Sequence, residues 1–245
     1  MAKSNAVTKV EAFAVTDDIP EFLKKGSNRG AENVGSEDVI IPRIELIQAL
    51  SPARKKSDPA YIEGADEGMM FNNVTRELYG LEVMVVPVYY QKQFLVWKDR
   101  KMGGGTNGFR GAFNTRSDAE AAIAGLNEEG LEISDTAQHF VLVLHGDKWS
   151  EAVVSMAKSK VKVSKRWNSL MRLTETDSFS RAYKLSSVVE TNARNEQYHN
   201  FNVTPIGFVS KEIYDRAEKL YEVISKGGVK VNADYDESAE VAEEF

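Results

Sequence analysis

The sequence predicts an α+β protein, mainly β with added helices, whose strands form a five-stranded barrel. Runs rich in β-branched and aromatic residues recur from Leu81 to Val209, separated by turn residues. Two stretches, 161–173 and 211–225, instead place apolar side chains at helical spacing. The order of these runs is the third observation, because the first helical stretch falls between the third and fourth long strands.

Residues 1–38 are polar and rich in Gly, Ser, Asn and charge, with one short amphipathic piece at Ile19–Leu23. They read as a flexible N-terminal arm. Order begins at Val39-Ile40-Ile41, and Ile44, Leu46, Ile47 and Leu50 read as a helical pattern that Ser51-Pro52 stops. Arg54, Lys55 and Lys56 form a basic stretch, Gly64–Gly68 reads as turns, and Met69, Met70 and Phe71 as a short strand. Leu81–Tyr90 carries the strongest strand signal, with Pro87 marking a bulge or an edge, and Phe94–Lys98 continues it.

A long connection follows, through Met102-Gly103-Gly104-Gly105 and Phe109–Phe113, and within it Ser117-Asp118 caps a short alanine-rich helix over 119–126. His139–Leu144 and Trp149–Met156 are strands joined at Gly146-Asp147, a tight hairpin turn. The helix over 161–173 gathers Trp167, Leu170, Met171 and Thr174 on one face. Phe179–Val189 and Tyr198–Val209 are the last strands, Ser210 caps the final helix, and Gly227-Gly228 ends it. Five strands with a helix between the third and fourth is the order of an OB-fold barrel. That fold binds oligonucleotides on one sheet face and on the loops joining strands one to two and four to five. The expected division is an arm over 1–38, an OB-like domain with helical additions over 39–229, and a disordered acidic tail over 230–245.

Composition narrows the chemistry. Hydrophobic content of 42% with 9% aromatics is ordinary for a globular protein. The absence of cysteine excludes disulfides, cysteine zinc sites and thiol catalysis, and fits a reducing compartment. With His139, His145 and His199 the only histidines, no metal centre is expected, and no cofactor. The polar start lacks the apolar stretch of a secretory signal. No apolar run approaches the roughly 20 residues of a membrane span, so the expected setting is cytoplasmic, without a membrane partner.

Charge is unevenly placed. There are 31 bases against 37 acids, a formal net charge of −6. The last twelve residues hold Asp234, Asp236, Glu237, Glu240, Glu243 and Glu244, no base, and the terminal Phe245. Without them, 31 bases face 31 acids. A tail of this kind can lie in a basic groove, compete there with a polyanion, and pass to a basic partner when the polyanion arrives. The plain alternative is a solvated terminus that aids solubility.

Two basic regions qualify as that groove. The first holds Lys92, Lys98, Arg100, Lys101, Arg110 and Arg116, with only Asp99 opposing between Gln91 and Arg116, and Trp97, Phe109 and Phe113 interleaved. Glycines there let backbone approach phosphates, and exposed aromatics offer faces on which bases stack. The loop over 191–197 adds Asn192, Arg194 and Asn195, followed by Tyr198 and His199. The second region, between Ala152 and Thr174, has Lys158, Lys160, Lys162, Lys165, Arg166 and Arg172 and no acid. Lys158, Lys160 and Lys162 alternate on an extended segment, where unrelieved like charges are unfavourable unless a counter-charge visits. The competing explanations are a solvated lysine-rich helix start, and loop aromatics that fold back onto the barrel.

Catalytic signatures are lacking. The triple glycine is not followed by Gly-Lys-Ser/Thr, and there is no nucleophile elbow and no His-Glu-x-x-His. Glu175 and Asp177 read as a helix end and loop. No catalytic residue is assigned, and no enzyme is expected.

A strand-rich body with basic and aromatic loops and an acidic tail ending in phenylalanine resembles the single-stranded DNA-binding proteins of bacteriophages. The tract from Ile41 to Gln48, and Trp97-Lys98-Asp99-Arg100 with Gly103–Gly105, have the same look. The resemblance implies a tail that covers the DNA groove and recruits replication proteins such as polymerase, helicase or primase, and a setting in the cytoplasm of a bacterial host. On this reading Lys158, Lys160, Lys162, Lys165, Arg166, Arg100, Arg110 and Arg194 contact phosphates. Trp97, Phe109, Phe113 and Tyr198 stack bases, while Trp149 and Trp167 belong to the core. Homo-oligomers are compatible with it. The alternatives are a DNA-mimicking interaction module that inhibits a host enzyme, and a strand-annealing recombination protein. Residues 39–80 have no counterpart in a minimal OB-fold.

Overall fold

The seventeen residues from Glu82 to Lys98 form one continuous strand on which the rest of the sheet is built. The computed structural model describes Gly30, residues 41–99, Met102, residues 108–146 and residues 148–226. The expected N-terminal arm apart from Gly30, the expected start of order at Val39-Ile40, Arg100 and Lys101, the run Gly103–Gly105, Asp147, the helix end at Gly227-Gly228 and the acidic tail lie outside the described residues.

Three short strands come first: β1 (Ile44–Leu46), β2 (Met70–Asn72) and β3 (Leu78–Gly80). They pair antiparallel in the order β1-β2-β3 as a separate small sheet. The long strand is β4 (Glu82–Lys98), followed by β5 (Phe109–Phe113), α1 (Arg116–Leu126), β6 (Leu131–His145) and β7 (Lys148–Met156). Then come α2 (Val161–Arg172), β8 (Arg181–Thr191), β9 (Gln197–Phe208) and α3 (Lys211–Ser225). The main sheet is antiparallel throughout its named pairings, in the order β7-β6-β4-β8-β9, with β5 beside the second half of β4. An α+β chain that is mostly strand is what the sequence predicts.

Pro87 sits inside this central strand, and the β4–β6 register shifts between Pro87 and Tyr89. A residue without an N–H interrupts the ladder, and the bulge absorbs the interruption. Past it, β4, β6 and β5 continue as an arm from about Tyr90 to Lys98, with α1 packed against it.

The expected barrel does not form, because the sheet is open and β7 and β9 are its edges. Residues 41–48 lie between those edges as a strap. The Val153 N–H of β7 donates to the Pro42 carbonyl at 2.8 Å, and Arg43 bridges Val153 in parallel. At the other end the Gln48 amide donates to the His199 carbonyl of β9 at 2.8 Å, and the His199 N–H returns a bond to Gln48 Oε1 at 2.9 Å. The two edges thus satisfy backbone groups through the strap, where closure would have paired them with each other.

Both faces of the sheet are covered. On one, Val85, Val143, Val154, Tyr183 and Val203 pack with Ile44 and Leu46 of β1 and Trp167 of α2. On the other, Val86, Phe140, Leu142 and Phe179 pack against Ala217, Leu220 and Ile224 of α3. The side chain of Ser210 caps α3, accepting from the Ile213 N–H.

Four local expectations are corrected. Residues 44–46 are strand, not helix: Ile44 and Leu46 are buried on either side of half-exposed Glu45, a period of two that pairing with β2 enforces. Phe109–Phe113 is not loop but β5, paired with Phe94–Trp97 of β4. The cap of α1 is Thr115, whose Oγ1 accepts from the Asp118 N–H at 3.1 Å, so the helix starts three residues earlier than Ser117-Asp118 suggests. Lys158–Lys160 is a 3-10 turn leading into α2 and not an extended segment, so the three lysines do not alternate along a strand.

Candidate nucleic-acid interface

The basic block of residues 158–172 folds into the 3-10 turn and α2. Val163, Ser164 and Trp167 are buried, and Leu170 and Met171 pack partly against the same core. With 3.6 residues per turn, that leaves Lys162, Lys165, Arg166 and Arg172 on the outer side, all four exposed. The stripe runs about 15 Å along the helix axis. No acid lies within it, and Lys158 and Lys160 extend it at the N-terminal end.

The β8–β9 hairpin lies against this helix. Glu190 near the end of β8 takes three donors on one oxygen: Lys162 Nζ at 2.7 Å, Tyr198 Oη at 2.6 Å and Asn200 Nδ2 at 2.9 Å. Burial favours the protonated acid, but the bonds from Asn200, Lys162 and Tyr198 outweigh it and hold the carboxyl at about 2. Burial and the Glu190 hydrogen bond raise the Tyr198 phenol. Further along, Arg166 donates to Asn202 Oδ1 at 2.9 Å. At the hairpin tip, Asn192 Oδ1 accepts from the N–H groups of Arg194 and Glu196, which leaves the Arg194 side chain exposed. The fold therefore gathers Lys158, Lys160, Lys162, Lys165, Arg166, Arg194 and Tyr198 around one helix and one hairpin.

The other described site residues, Arg110, Trp97, Phe109 and Phe113, sit elsewhere. Tyr90 of β4 pairs with His139, which reaches α2 through Ser164, while Trp97 lies seven residues further out, about 24 Å along the strand. Trp97 and Phe109 pack on each other, ring centroids 5.0 Å apart, and are half-buried. Phe113 lies over Gly111, where a Cβ would come within 3.0 Å of its ring, at a φ of +147° that disfavours other residues. Arg110 is held in a fork by Glu128, Nε to Oε2 at 2.6 Å and Nη2 to Oε1 at 2.8 Å, with Lys98 Nζ on the same Oε1. The bonds from Arg110 and Lys98 pull Glu128 down to about 2. Lys92 and Arg116 share Asp135.

The described cations of the first region, Lys92, Lys98, Arg110 and Arg116, thus have acids that come from residues 120–135, later in the chain. Arg110 is engaged with Glu128, and Trp97, Phe109 and Phe113 are not open stacking platforms of the same face as α2. Trp167 is fully buried, as expected of core, and Trp149 packs partly against the α3-side core. Glu190, Asn200 and Asn202 escape sequence reading, because only the hairpin register places them beside α2. Among the described residues, no group of His, Cys, Asp and Glu is placed to hold a metal ion, and no helix is long and apolar enough to cross a membrane.

An open, mainly antiparallel sheet with covered faces and a one-sided basic helix defines an α+β protein with a localised cationic surface. The model of the Pam3 phage gp34-like proteins matches residues 9–230, and the chain belongs to that family of phage proteins. No curated protein and no solved structure matched it.

Proposed function

We propose that this phage protein binds single-stranded DNA with little sequence preference and protects it during replication or recombination. The observation that carries the reading is the outer face of α2, where Lys162, Lys165, Arg166 and Arg172 project from a stretch of 23 residues without an acid. A contiguous cationic stripe beside a hairpin rich in amides suits a phosphate backbone more than any small ligand. The sheet order adds support. Its central β4 has the β6–β7 hairpin on one side and the β8–β9 hairpin on the other, an order of strands that oligonucleotide-binding OB-folds also use, here in an open sheet. In this reading the protein is a binder and not an enzyme. The acids of residues 234–245 with Phe245 compete for the α2 face and are released to replication proteins when DNA occupies it.

The test is fluorescence-monitored binding to a labelled oligo-dT across a salt series, for the full chain and for a chain ending at Ala233. Tight, salt-sensitive binding that strengthens on truncation is expected. Lys165→Ala and Arg166→Ala should each weaken binding to all sequences alike and flatten the log–log salt slope by about 0.7. No binding by either chain overturns the reading and leaves a protein partner as the alternative.

A further inference from the structure

Glu190 is oddly placed for a protein that binds a polyanion, since its carboxylate meets the N-terminal end of the basic stripe. One of its oxygens accepts from an ammonium, a phenol and a carboxamide, all within 2.9 Å. A cation and two neutral donors converging on one anionic oxygen is the donor set a phosphate oxygen takes from proteins. Lys162 is itself exposed, whereas the Glu190 side chain is only 25% accessible, so the acid lies beneath and the lysine folds over it. Glu190 stays ionised at any pH near neutrality, which makes this a permanent charge. The adjacent cations, Lys165 and Arg166, are exposed on the same helix face.

We propose that Glu190 is the resident anion of a phosphate seat, holding Lys162 out of the nucleic-acid track and ending the part of that track on α2 at Lys165. The proposal rests on the DNA-binding reading and refines it: Lys165, Arg166 and Arg172 are the contacts of α2 available to phosphates, and Lys162 becomes one only when the carboxylate is neutralised. Glu190→Gln is nearly isosteric and keeps acceptors for Tyr198 and Asn200 while removing the charge.

The experiment is oligo-dT titration of five full-length chains over a salt series, with circular dichroism melts to check folding. The chains are wild type, Glu190→Gln, Lys162→Met, the double variant, and Glu196→Gln. Glu196 lies in the same hairpin and bonds Asn192, so it controls for general loss of negative charge. Glu190→Gln should bind about fivefold tighter at about 0.1 M salt, with a slope steeper by about 0.7. Lys162→Met alone should bind like wild type, and in the double variant it should erase the gain. Wild-type binding that Lys162→Met weakens, or that Glu190→Gln leaves unchanged or weakens, overturns the Glu190 proposal alone. A gain in Glu196→Gln equal to that in Glu190→Gln also overturns it. Binding by none of the five overturns the DNA reading and this proposal together.

Discussion

His139 lies wholly within the protein, its ring stacked 4.4 Å from that of Trp167 and its Nε2 2.8 Å from Ser164 Oγ. Burial pushes its pKa down to about 3, so the folded chain holds the imidazole neutral. The unfolded chain titrates near the ordinary 6.5, so between there and about 3 only the unfolded state takes up this proton. Stability that is full above pH 6.5 is therefore lost as the pH falls through that window. Glu128 and Glu190 add losses of the same sign, but only below their ordinary 4.5. His139→Gln keeps a polar contact for Ser164 without the titration. Its urea midpoint should fall short of wild type at pH 7.5 and approach it at pH 5, and a gap independent of pH would show that His139 titration does not matter. Nothing in the sequence marks this histidine, because its burial comes from α2 crossing β6. Trp167 was legible, since it shares a helical face with Leu170 and Met171.

Among the elements, those whose period is long enough to read were legible, and those defined by a partner were not. Apart from β5, the strand and helix order from Leu81 to Ser225 follows from runs of six or more residues with one period each. β1 is three residues long, and Ile44, Leu46 and Ile47 fit a helical spacing as well as an alternating one until β2 pairs with it. β5 carries a glycine and an arginine among five residues, and becomes a strand only because the free edge of β4 is there. The start of α1 turns on a similar choice between neighbours. Thr115, Ser117 and Asp118 are all capable caps, and Thr115 prevails because its hydroxyl both accepts from the Asp118 N–H and donates to Asp118 Oδ2 at 2.6 Å. Thr115→Ala should cost about 1 kcal/mol. Hydrogen exchange would locate that loss in residues 116–119, with β6 and β7 unaffected if α1 frays locally. Loss spread evenly over the sheet would mean that α1 and the arm unfold as one unit with it.

For the whole molecule, the sequence order of charges misleads where the fold brings distant segments together. Between Gln91 and Arg116 one acid faces six bases along the chain, yet Glu128 and Asp135 fold back to meet Lys92, Lys98, Arg110 and Arg116. The bases of α2 meet only Glu190 in this way among the pairs seen, and that difference moves the candidate interface from the arm to the helix. The same long-range logic assigns a role to residues 41–48, for which a minimal barrel has no place. The strap buries Ile41, Ile44, Leu46 and Ile47 and joins both sheet edges through Val153 and His199. Burying four such side chains is worth about 6–12 kcal/mol, which is comparable with the roughly 5–15 kcal/mol of a whole domain. Its removal would also bare the β7 and β9 edges, and bare edges seek other chains. A chain starting at Ser51 should therefore lose its cooperative thermal transition, or keep strand content only in oligomers that grow with concentration in light scattering. A monomeric chain from Ser51 that melts cooperatively at the wild-type temperature would show that the sheet is complete without the strap.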